Sequence, residues 1–449
     1  MERGLQNLMN LPEKFLECMS NTLGKDYNEY INYLDKTPYR GLRVNTLKAS
    51  VEKVKNAVDF SLLETPFCEQ GFYIDNELVG VGNHPYHHAG AFYLQEPSAM
   101  SAVEALDVNL GDRVLDMCAA PGGKSTQIAA KLDGTGLLWS NEYVSARAKI
   151  LYSNIERCGV KNAVVSNADS FQIANNLQGF FDKVLVDAPC SGEGMIRREP
   201  NAINEWKIEN RDMCAKRQAE ILDNAALCLK QNGILVYSTC TLSLEENEYT
   251  VESFLDRHND FELVEIDKQF GRNGYTEKTK LTRRILFADG GEGHFVAKFK
   301  KTSNEPCLVK EQGCKNDSNK IFEEFYSSCF NDNAKNVHIK NDVVYLLPEF
   351  YPQTKAIRIL KAGLKAGEIV KNRFVPSHEL FVSKAVNDVK QVENLSLSDP
   401  RVTQFLKGLE IDCDKKGYVG VAVDGIMLGF GKASNGKLKN HYPKGLRIF

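Results

Sequence analysis

Alternating strand and helix patterns between residues 92 and 301 constrain the fold of this chain more than any other feature. Short apolar runs typical of buried strands are separated by longer segments with helical spacing of their apolar residues. Parallel strands need crossover connections, so this alternation predicts a parallel sheet covered by helices on both faces. The strands are expected at 113–119, 136–142, 163–169, 181–189, 233–240 and 294–301. The region is therefore predicted to be a doubly wound α/β domain of about 210 residues.

Regions of different character flank this core. The N-terminal region has helical spacing at 12–34 and a strand-like segment at 40–48, which together predict a small α+β unit. The polar, aperiodic stretch after the core predicts a linker, and the C-terminal region combines short strand patterns with a hairpin signal at Asp424-Gly425. We therefore divide the chain into 1–91, 92–301, 302–320, 321–385 and 386–449.

Composition narrows the class of protein. The chain is 43% hydrophobic and 26% charged, as expected of a globular protein. No segment approaches the ~20 apolar residues of a membrane helix, and the N-terminus lacks the apolar core of a secretory signal, so a cytoplasmic protein is expected. The 12 cysteines include no Cys-x-x-Cys pair, so neither a structural metal site nor a disulfide framework is expected.

Charged and polar groups outside the core strands allow two interpretations each. The net charge of −3 does not indicate a uniformly basic nucleic-acid binder. Two basic groups could still bind phosphates or simply be solvated: Lys432, Lys437, Lys439, Lys444 and Arg447 near the C-terminus, and Arg197, Arg198, Arg211, Lys216 and Arg217 after Cys190. Three histidines, His84, His87 and His88, lack a partner cluster and indicate a surface loop rather than a metal site.

A glycine turn and three acidic residues predict a nucleoside cofactor site. The segment 114–129, VLDMCAAPGGKSTQIA, joins a strand to a helix through small residues that let the backbone approach a ligand. It matches neither the dinucleotide fingerprint nor the Walker pattern. Glu142, Asp169 and Asp187 each end a predicted strand, so they should meet at one edge of the sheet. There they could accept hydrogen bonds from ribose hydroxyls and an adenine amino group.

Two cysteines occupy the same predicted edge. Cys190 lies in DAPCSGEGM and Cys240 in YSTCTLSLEENE, and each directly follows a buried strand. A cysteine in this position can act as a nucleophile if its thiolate is stabilised, which Lys124 or nearby amides could do.

Taken together, these motifs resemble the NOL1/NOP2/Sun family of RNA (cytosine-5) methyltransferases. The ordered matches are DMCAAPGGKST, NE followed by Arg147, NAD, DAPCSGEGM, STCTLSLEENE and GGEGHFVAKFKK. Outside the core, RVNTLK, FYLQEPSAM and LKNHYPKGLR resemble the bacterial RsmF branch of that family. The resemblance implies a Rossmann-like class I methyltransferase core, a small N-terminal RNA-binding domain and C-terminal PUA-like modules. It also implies S-adenosyl-L-methionine as cofactor and cytosines of small-subunit (16S) ribosomal RNA as substrate.

The resemblance also implies roles for individual residues. The loop for the methionine and ribose of the cofactor would be Cys118, Ala119, Ala120, Pro121, Gly122, Gly123 and Lys124. Further cofactor contacts would come from Glu142, Arg147, Asp169 and Asp187. Cys240 would be the nucleophile and Cys190 would help to release the product. Asp187 would donate to, or hydrogen-bond with, ring nitrogen 3 and the amino edge of cytosine. This role requires the Asp187 carboxyl to be protonated or to share a proton.

The chemistry explains why two cysteines are needed, and it leaves alternatives. Thiolate attack at carbon 6 makes carbon 5 nucleophilic, and the target base must be unpaired or flipped to allow it. Transfer RNA is the main alternative substrate. A non-catalytic RNA-binding assembly factor would be expected to have damaged motifs, and these are intact. A methyltransferase acting on protein or small molecules would have no need of the paired cysteines.

Overall fold

The computed structural model describes residues 11–199, 203–204, 206–303, 307, 309–311 and 316–448. Its α-helices are α1 Glu13–Leu23, α2 Tyr27–Leu34, α3 Val51–Ala57, α4 Pro85–His88, α5 Ser101–Leu106, α6 Gly123–Leu132, α7 Ser145–Arg157, α8 Ser170–Asn176, α9 Glu209–Cys228, α10 Glu248–Arg257, α11 Lys320–Cys329, α12 His378–Val382 and α13 Pro400–Leu406. Its strands are β1 Gly41–Val44, β2 Leu63–Glu64, β3 Gly71–Tyr73, β4 Phe92–Leu94, β5 Arg113–Asp116, β6 Leu137–Asn141, β7 Ala163–Ser166, β8 Phe181–Asp187, β9 Leu229–Thr239, β10 Phe261–Leu263, β11 Arg272–Asn273, β12 Arg283–Ile285, β13 His294–Lys301, β14 Val337–Lys340, β15 Val343–Leu346, β16 Ile359–Ala362, β17 Leu364–Val370, β18 Arg373–Pro376, β19 Val392–Leu395, β20 Ile411–Asp412, β21 Gly417–Val423, β22 Ile426–Ser434 and β23 Lys437–Asn440.

The N-terminal unit contains a four-stranded sheet in the order β2-β3-β1-β4. Helix α1 buries Phe15, Met19 and Leu23, which recur every four residues and so form one face. Strand β4 pairs antiparallel with β1, with Phe92 opposite Val44. The predicted boundary before residue 92 is therefore wrong, because it would cut this sheet between two hydrogen-bonded strands.

The central sheet has the order β11-β12-β13-β9-β8-β5-β6-β7-β16. Strands β5 to β9 are parallel, as the alternating pattern predicts. The remaining strands correct the expectation of an all-parallel sheet, since β13 inserts antiparallel between β9 and β12. At the opposite edge, β16 from the C-terminal part of the chain pairs antiparallel with β7.

Helices cover both faces of this sheet, which confirms the doubly wound architecture. On one face, α5, α6 and α7 contribute buried residues such as Val103, Ile128 and Leu151. On the other face, α8, α9 and α10 bury residues such as Ile173 and Leu222. A parallel sheet buried on both sides leaves only its strand ends free to bind a ligand.

Two smaller sheets complete the C-terminal part. Their orders are β14-β15-β17-β18 and β19-β21-β22-β23-β20. The predicted hairpin is confirmed: Asp424 and Gly425 join β21 to β22 with φ angles of 45° and 78°, as a type I′ turn requires. Lys432, Lys437 and Lys439 lie on β22 and β23, so the basic C-terminal group belongs to a folded sheet and is not a free tail.

The sequence predicted that His84, His87 and His88 lie in a surface loop. This prediction is wrong, because His87 and His88 belong to helix α4 and His84 directly precedes it. His84 begins helix α4 by accepting a hydrogen bond from the Tyr86 amide. His88 Nδ1 lies 2.9 Å from the hydroxyl of Tyr442, so this helix packs against the last C-terminal unit. No group of ligands suited to a metal ion occurs in the described parts of the chain. None of the described helices is both long and apolar enough to cross a membrane.

Candidate active site

A cleft of about 780 Å³ opens at the carboxyl ends of the central parallel strands. Its acidic lining residues are Glu142, Asp169, Asp187 and Glu220, and its basic ones are Arg147 and Arg217. The same cleft reaches three cysteines, Cys118, Cys190 and Cys240. Clefts of this size at the ends of parallel strands are typical of nucleotide-sized ligands. The structure thus brings the acidic residues and the two motif cysteines into one site.

The glycine turn shapes one wall of this cleft. Gly122 has a φ of 114°, and a Cβ atom there would lie 3.2 Å from the Leu151 side chain. Arg43 donates to the Gly123 carbonyl over 3.1 Å, so the N-terminal unit braces the turn from behind. Within the turn, Cys118 and Ala120 line the cleft. Residues Ala119, Pro121, Gly122 and Gly123 build the turn and are not among the lining residues.

Glu142 and Arg147 form the next part of the wall. One oxygen of Glu142 accepts a 2.7 Å hydrogen bond from the Val144 amide, and the other lies 3.5 Å from Arg147 Nη1. Arg147 also donates to the Ala120 carbonyl over 2.8 Å. The arginine therefore links the glycine turn to the carboxylate and fixes the distance between them.

Asp169 combines two tasks at the start of α8. Its Oδ1 accepts a 2.7 Å hydrogen bond from the Gln172 amide, and the Asp169 amide donates to Gln172 Oε1, which makes a capping box. The second carboxylate oxygen has no hydrogen-bond partner within the described chain. Since Asp169 lines the cleft, this oxygen is available to a ligand.

Lys124 forms an ion pair with Asp187; Asp187 lines the cleft, whereas Lys124 is not among its lining residues. Lys124 Nζ donates to Asp187 Oδ2 over 2.8 Å, and Ser238 donates to Oδ1 over 2.8 Å. Burial alone would raise the pKa of Asp187, but Lys124 and His294 outweigh it and hold the pKa below its usual value. Burial likewise lowers the pKa of Lys124, and Asp187 more than offsets this. Both groups are therefore charged at neutral pH, which favours the shared-proton alternative for Asp187, through the hydrogen bond from Lys124, over a protonated carboxyl.

The sulfur atoms of Cys190 and Cys240 lie 3.3 Å apart and are not bonded to each other. The contact with Cys240, followed by burial, raises the pKa of the Cys190 thiol well above its usual value. Cys190 therefore remains a thiol beside the second sulfur. The geometry provides one protonated cysteine that can donate a hydrogen bond to the other.

Sequence reasoning missed His294, which lies behind the ion pair. Ser98 Oγ is 2.6 Å from Glu96 Oε2 and 3.1 Å from His294 Nδ1. Because Ser98 gives its only proton to the carboxylate, Nδ1 of His294 must donate, which leaves a lone pair on Nε2. Burial and Lys124 lower the pKa of His294 to about 4. The motifs FYLQEPSAM and GGEGHFVAKFKK contain all three residues, but nothing in the sequence indicated that they meet.

Two arginines that could have held phosphates are buried in ion pairs instead. Arg197 contacts Glu292 at 2.6 Å and Arg211 contacts Glu193 at 2.7 Å, with all four side chains at most 4% exposed. Those two candidates for phosphate binding are therefore wrong. Three other residues of that basic group, Arg198, Lys216 and Arg217, are exposed.

Comparison with known families matches each part of the chain to a related domain. Residues 103–300 match the 16S rRNA methyltransferase RsmB/F family, and residues 11–97 match the N-terminal domain of 16S rRNA methyltransferase RsmF. Residues 323–383 match the RsmF first C-terminal domain, and residues 392–448 match the RsmF PUA domain.

Whole-chain relatives decide the assignment. The ribosomal RNA small subunit methyltransferase F of Vibrio campbellii is 35% identical over 97% of both chains. That of Vibrio cholerae is 34% identical over 98% of both chains. This chain belongs to the RsmF family. The RsmF assignment confirms the methyltransferase core with a small N-terminal domain and PUA-like C-terminal units, and it makes the protein a methyltransferase.

Solved structures agree with the RsmF fold. A methyltransferase homologue from Pyrococcus horikoshii is 31% identical, covers 66% of this chain and 98% of its own, and has a TM-score of 0.59. NSun6 from the same organism, solved with SFG, is 23% identical, covers 65% of this chain and 99% of its own, and also has a TM-score of 0.59. At that identity the second likeness supports the fold alone.

Proposed function

We propose that this protein transfers a methyl group from S-adenosylmethionine to carbon 5 of cytosine in 16S ribosomal RNA, in the cytoplasm. One observation carries the proposal: two cysteine sulfurs lie 3.3 Å apart in the same cleft as the carboxylates of a nucleoside site. Direct transfer to oxygen or nitrogen would need no thiol, whereas methylation of carbon 5 needs a nucleophile at carbon 6. Within the family, the curated relatives supply the substrate expectation, since they are named for small-subunit ribosomal RNA.

The residues of the cleft fit the proposed cofactor. S-adenosylmethionine carries a positive sulfonium, and the lining offers the carboxylates of Glu142, Asp169 and Asp187. Beneath the glycine turn, Asp116 has a buried oxygen with no hydrogen-bond partner among the residues that the structure describes, and burial raises its pKa to about 7. In this arrangement Glu142 would bind the ribose hydroxyls and Asp169 the adenine amino group. The bound cofactor would supply the methyl group as an electrophile.

Cys240 would attack carbon 6 of the flipped cytosine through its thiolate. The π pair of the C5=C6 double bond is displaced toward C4 and N3, so carbon 5 becomes nucleophilic and can bond to the methyl carbon, whose former bond pair would leave with the cofactor sulfur. The Lys124 ammonium, whose pKa is raised by Asp187 foremost and also by Cys240, would stabilise the thiolate and the negative charge that develops in the ring. Because Asp187 is charged, we assign it as acceptor for the amino group of cytosine rather than as donor to the ring nitrogen.

RNA binding would involve the flanking domains. The PUA domain at residues 392–448 supports an RNA substrate, and Lys432, Lys437 and Lys439 lie on its strands β22 and β23. Transfer RNA stays the second candidate substrate, since a basic PUA domain suits either RNA.

We retain the remaining domain boundaries as a proposed division of the chain, with a linker at 302–320 and C-terminal units at 321–385 and 386–449.

Cysteine variants test the chemistry directly. Cys240→Ala should abolish methyl transfer, whereas Cys190→Ala should accumulate an RNA–protein adduct that survives denaturing electrophoresis. Cys307→Ala, which changes an exposed cysteine outside the cleft, serves as the matched control and should retain full activity. If the Cys190 and Cys240 variants behave alike and neither forms an adduct, the assigned roles are incorrect.

A further inference from the structure

The carboxylate of Glu246 lies between the two loops that carry the cysteines. It is fully buried. Its Oε2 accepts a 2.9 Å hydrogen bond from the Ser191 amide, and its Oε1 accepts another from the Ser191 hydroxyl. Thr241, directly after Cys240, contacts Oε1 at 3.4 Å and lies 2.8 Å from the Ser191 hydroxyl. Glu246 thus binds the residue that follows Cys190 directly. It is linked to the residue that follows Cys240 mainly through Ser191, and Thr241 also lies 3.2 Å from Glu193 Oε2.

Gln218 connects Glu246 to the other side of Cys190. We call Glu246, Ser191 and Gln218 together the clamp. Gln218 donates to Glu246 Oε2 over 2.9 Å and to the Pro189 carbonyl over 3.0 Å. The peptide groups on both sides of Cys190 are therefore anchored, directly or through Gln218, to Glu246.

Glu246 is a buried carboxylate without a paired cation in the part of the chain that the structure describes, which is unusual for a residue with a purely structural role. Among the described residues it forms no ion pair, whereas the nearby buried Glu193 is paired with Arg211. Burial, which outweighs the hydrogen bonds from Ser191 and Gln218, raises the pKa of Glu246. A buried carboxylate without a cation costs free energy that a neutral side chain would avoid. Such a cost is commonly retained where the group serves the function of a site.

We propose that Glu246 is a positioning residue that holds the Cys190 thiol against Cys240, so that Cys190 assists the breakdown of the covalent adduct. This inference rests on the proposed function, because it assumes the adduct. It predicts that loss of Glu246 slows release of the product while binding of RNA and cofactor and formation of the adduct are largely preserved.

Release of the methylated cytosine from Cys240 needs no reactant other than water. Carbon 5 loses its proton to water, and the electron pair of that C–H bond forms the C5=C6 double bond. The pair of the bond between carbon 6 and Cys240 Sγ departs with the sulfur as a thiolate. The Cys190 S–H, 3.3 Å away, donates a hydrogen bond to that sulfur and stabilises it as charge develops.

The test compares Glu246→Gln with Glu245→Gln, its neighbour in the same loop, whose carboxylate faces Arg211. In single-turnover reactions with 16S ribosomal RNA, Glu246→Gln should lower the rate of adduct breakdown about tenfold or more. The rate of adduct formation and the dissociation constants for RNA and cofactor should stay within about threefold. Glu245→Gln should match the unmodified protein in every rate. Equal loss of formation and breakdown, or wild-type breakdown, would overturn the proposal.

A double variant separates positioning from general damage. If Glu246 acts through Cys190, Cys190→Ala combined with Glu246→Gln should release product no more slowly than Cys190→Ala alone. A further slowing would overturn the proposal. Should Glu246→Gln fail to fold, Ser191→Ala removes one contact of the clamp and should give a smaller slowing of the same step. Absence of any adduct with the unmodified protein and with Cys190→Ala would instead refute the proposed function itself.

Discussion

Lys124 Nζ and Asp187 Oδ2 lie 2.8 Å apart, although the two residues are 63 positions apart in the chain. The first lies in the first turn of the helix after the glycine turn, and the second ends the strand that leads to Cys190. The pair therefore connects the cofactor side of the cleft to the cysteine side. Because Asp187 is also held by Ser238, its carboxylate has a fixed orientation toward the site.

Replacing Lys124 tests this connection. Lys124→Met should lower methyl transfer about 100-fold, because the site loses its central positive charge. Lys131→Met removes a lysine from the same helix that pairs with Glu104 away from the cleft, and it should retain activity. Steady-state transfer of labelled methyl groups to RNA measures both. Comparable losses in the two variants would contradict a specific role for Lys124.

The same variant should change the response to acid. In the folded protein the pKa of Asp187 is lowered. The ion pair with Lys124 therefore contributes its full stabilisation at pH values above the ordinary carboxyl pKa. This contribution is lost as the pH falls through the pKa of Asp187 in the folded state. Without Lys124 the pKa of Asp187 rises, so protonation sets in at higher pH. Urea unfolding between pH 7 and pH 3 should therefore show a smaller loss of stability in Lys124→Met. An unchanged pH profile would argue against the pair.

Asp169 allows helix capping and cofactor binding to be separated. Asp169→Asn keeps a capping side chain but removes the charge, so it should leave stability unchanged and weaken S-adenosylmethionine binding about tenfold. Asp169→Ala should weaken binding similarly and also cost about 1 kcal/mol of stability, because the cap is lost. Calorimetric titration and thermal unfolding measure the two effects. Full affinity in Asp169→Asn would exclude the carboxylate from the cofactor site.

Buried and exposed basic residues on α9 should behave in opposite ways. Arg211→Ala leaves Glu193 buried without its cation and should cost about 3–5 kcal/mol of unfolding free energy. Lys216→Ala changes an exposed residue and should leave stability intact while weakening RNA binding in a salt-dependent manner. Denaturant unfolding and filter binding distinguish them. A stable Arg211→Ala protein with weak RNA binding would reverse this assignment.

The edge on which the site lies could be predicted from the sequence because it depends on local pattern. Cys190 and Cys240 each follow a run of buried strand residues, and parallel strands bring such ends together. Arg197 and Arg211 could not be assigned in this way. Their partners, Glu292 and Glu193, lie 95 and 18 residues away, and no local signal distinguishes a buried arginine from a solvated one.

The direction of strands β13 and β16 in the sheet likewise could not be predicted from local sequence pattern. The segment HFVAKFKK was recognised as a strand, yet its antiparallel insertion between β9 and β12 depends on the hairpin that precedes it. The pairing of β16 with β7 joins residues far apart in the chain, so nothing near Ile359 could indicate it. His294 begins β13, and its position behind Lys124 and Asp187 follows from that same insertion.

The central claim is methylation of carbon 5 of cytosine in 16S ribosomal RNA. The most direct measurement incubates the protein and labelled S-adenosylmethionine with separate 16S ribosomal RNA and transfer RNA, followed by digestion and mass analysis of the nucleosides. The account predicts labelled 5-methylcytidine from the 16S RNA, and none when Cys240→Ala replaces the unmodified protein. Label in another nucleoside, or 5-methylcytidine from transfer RNA alone, would contradict it.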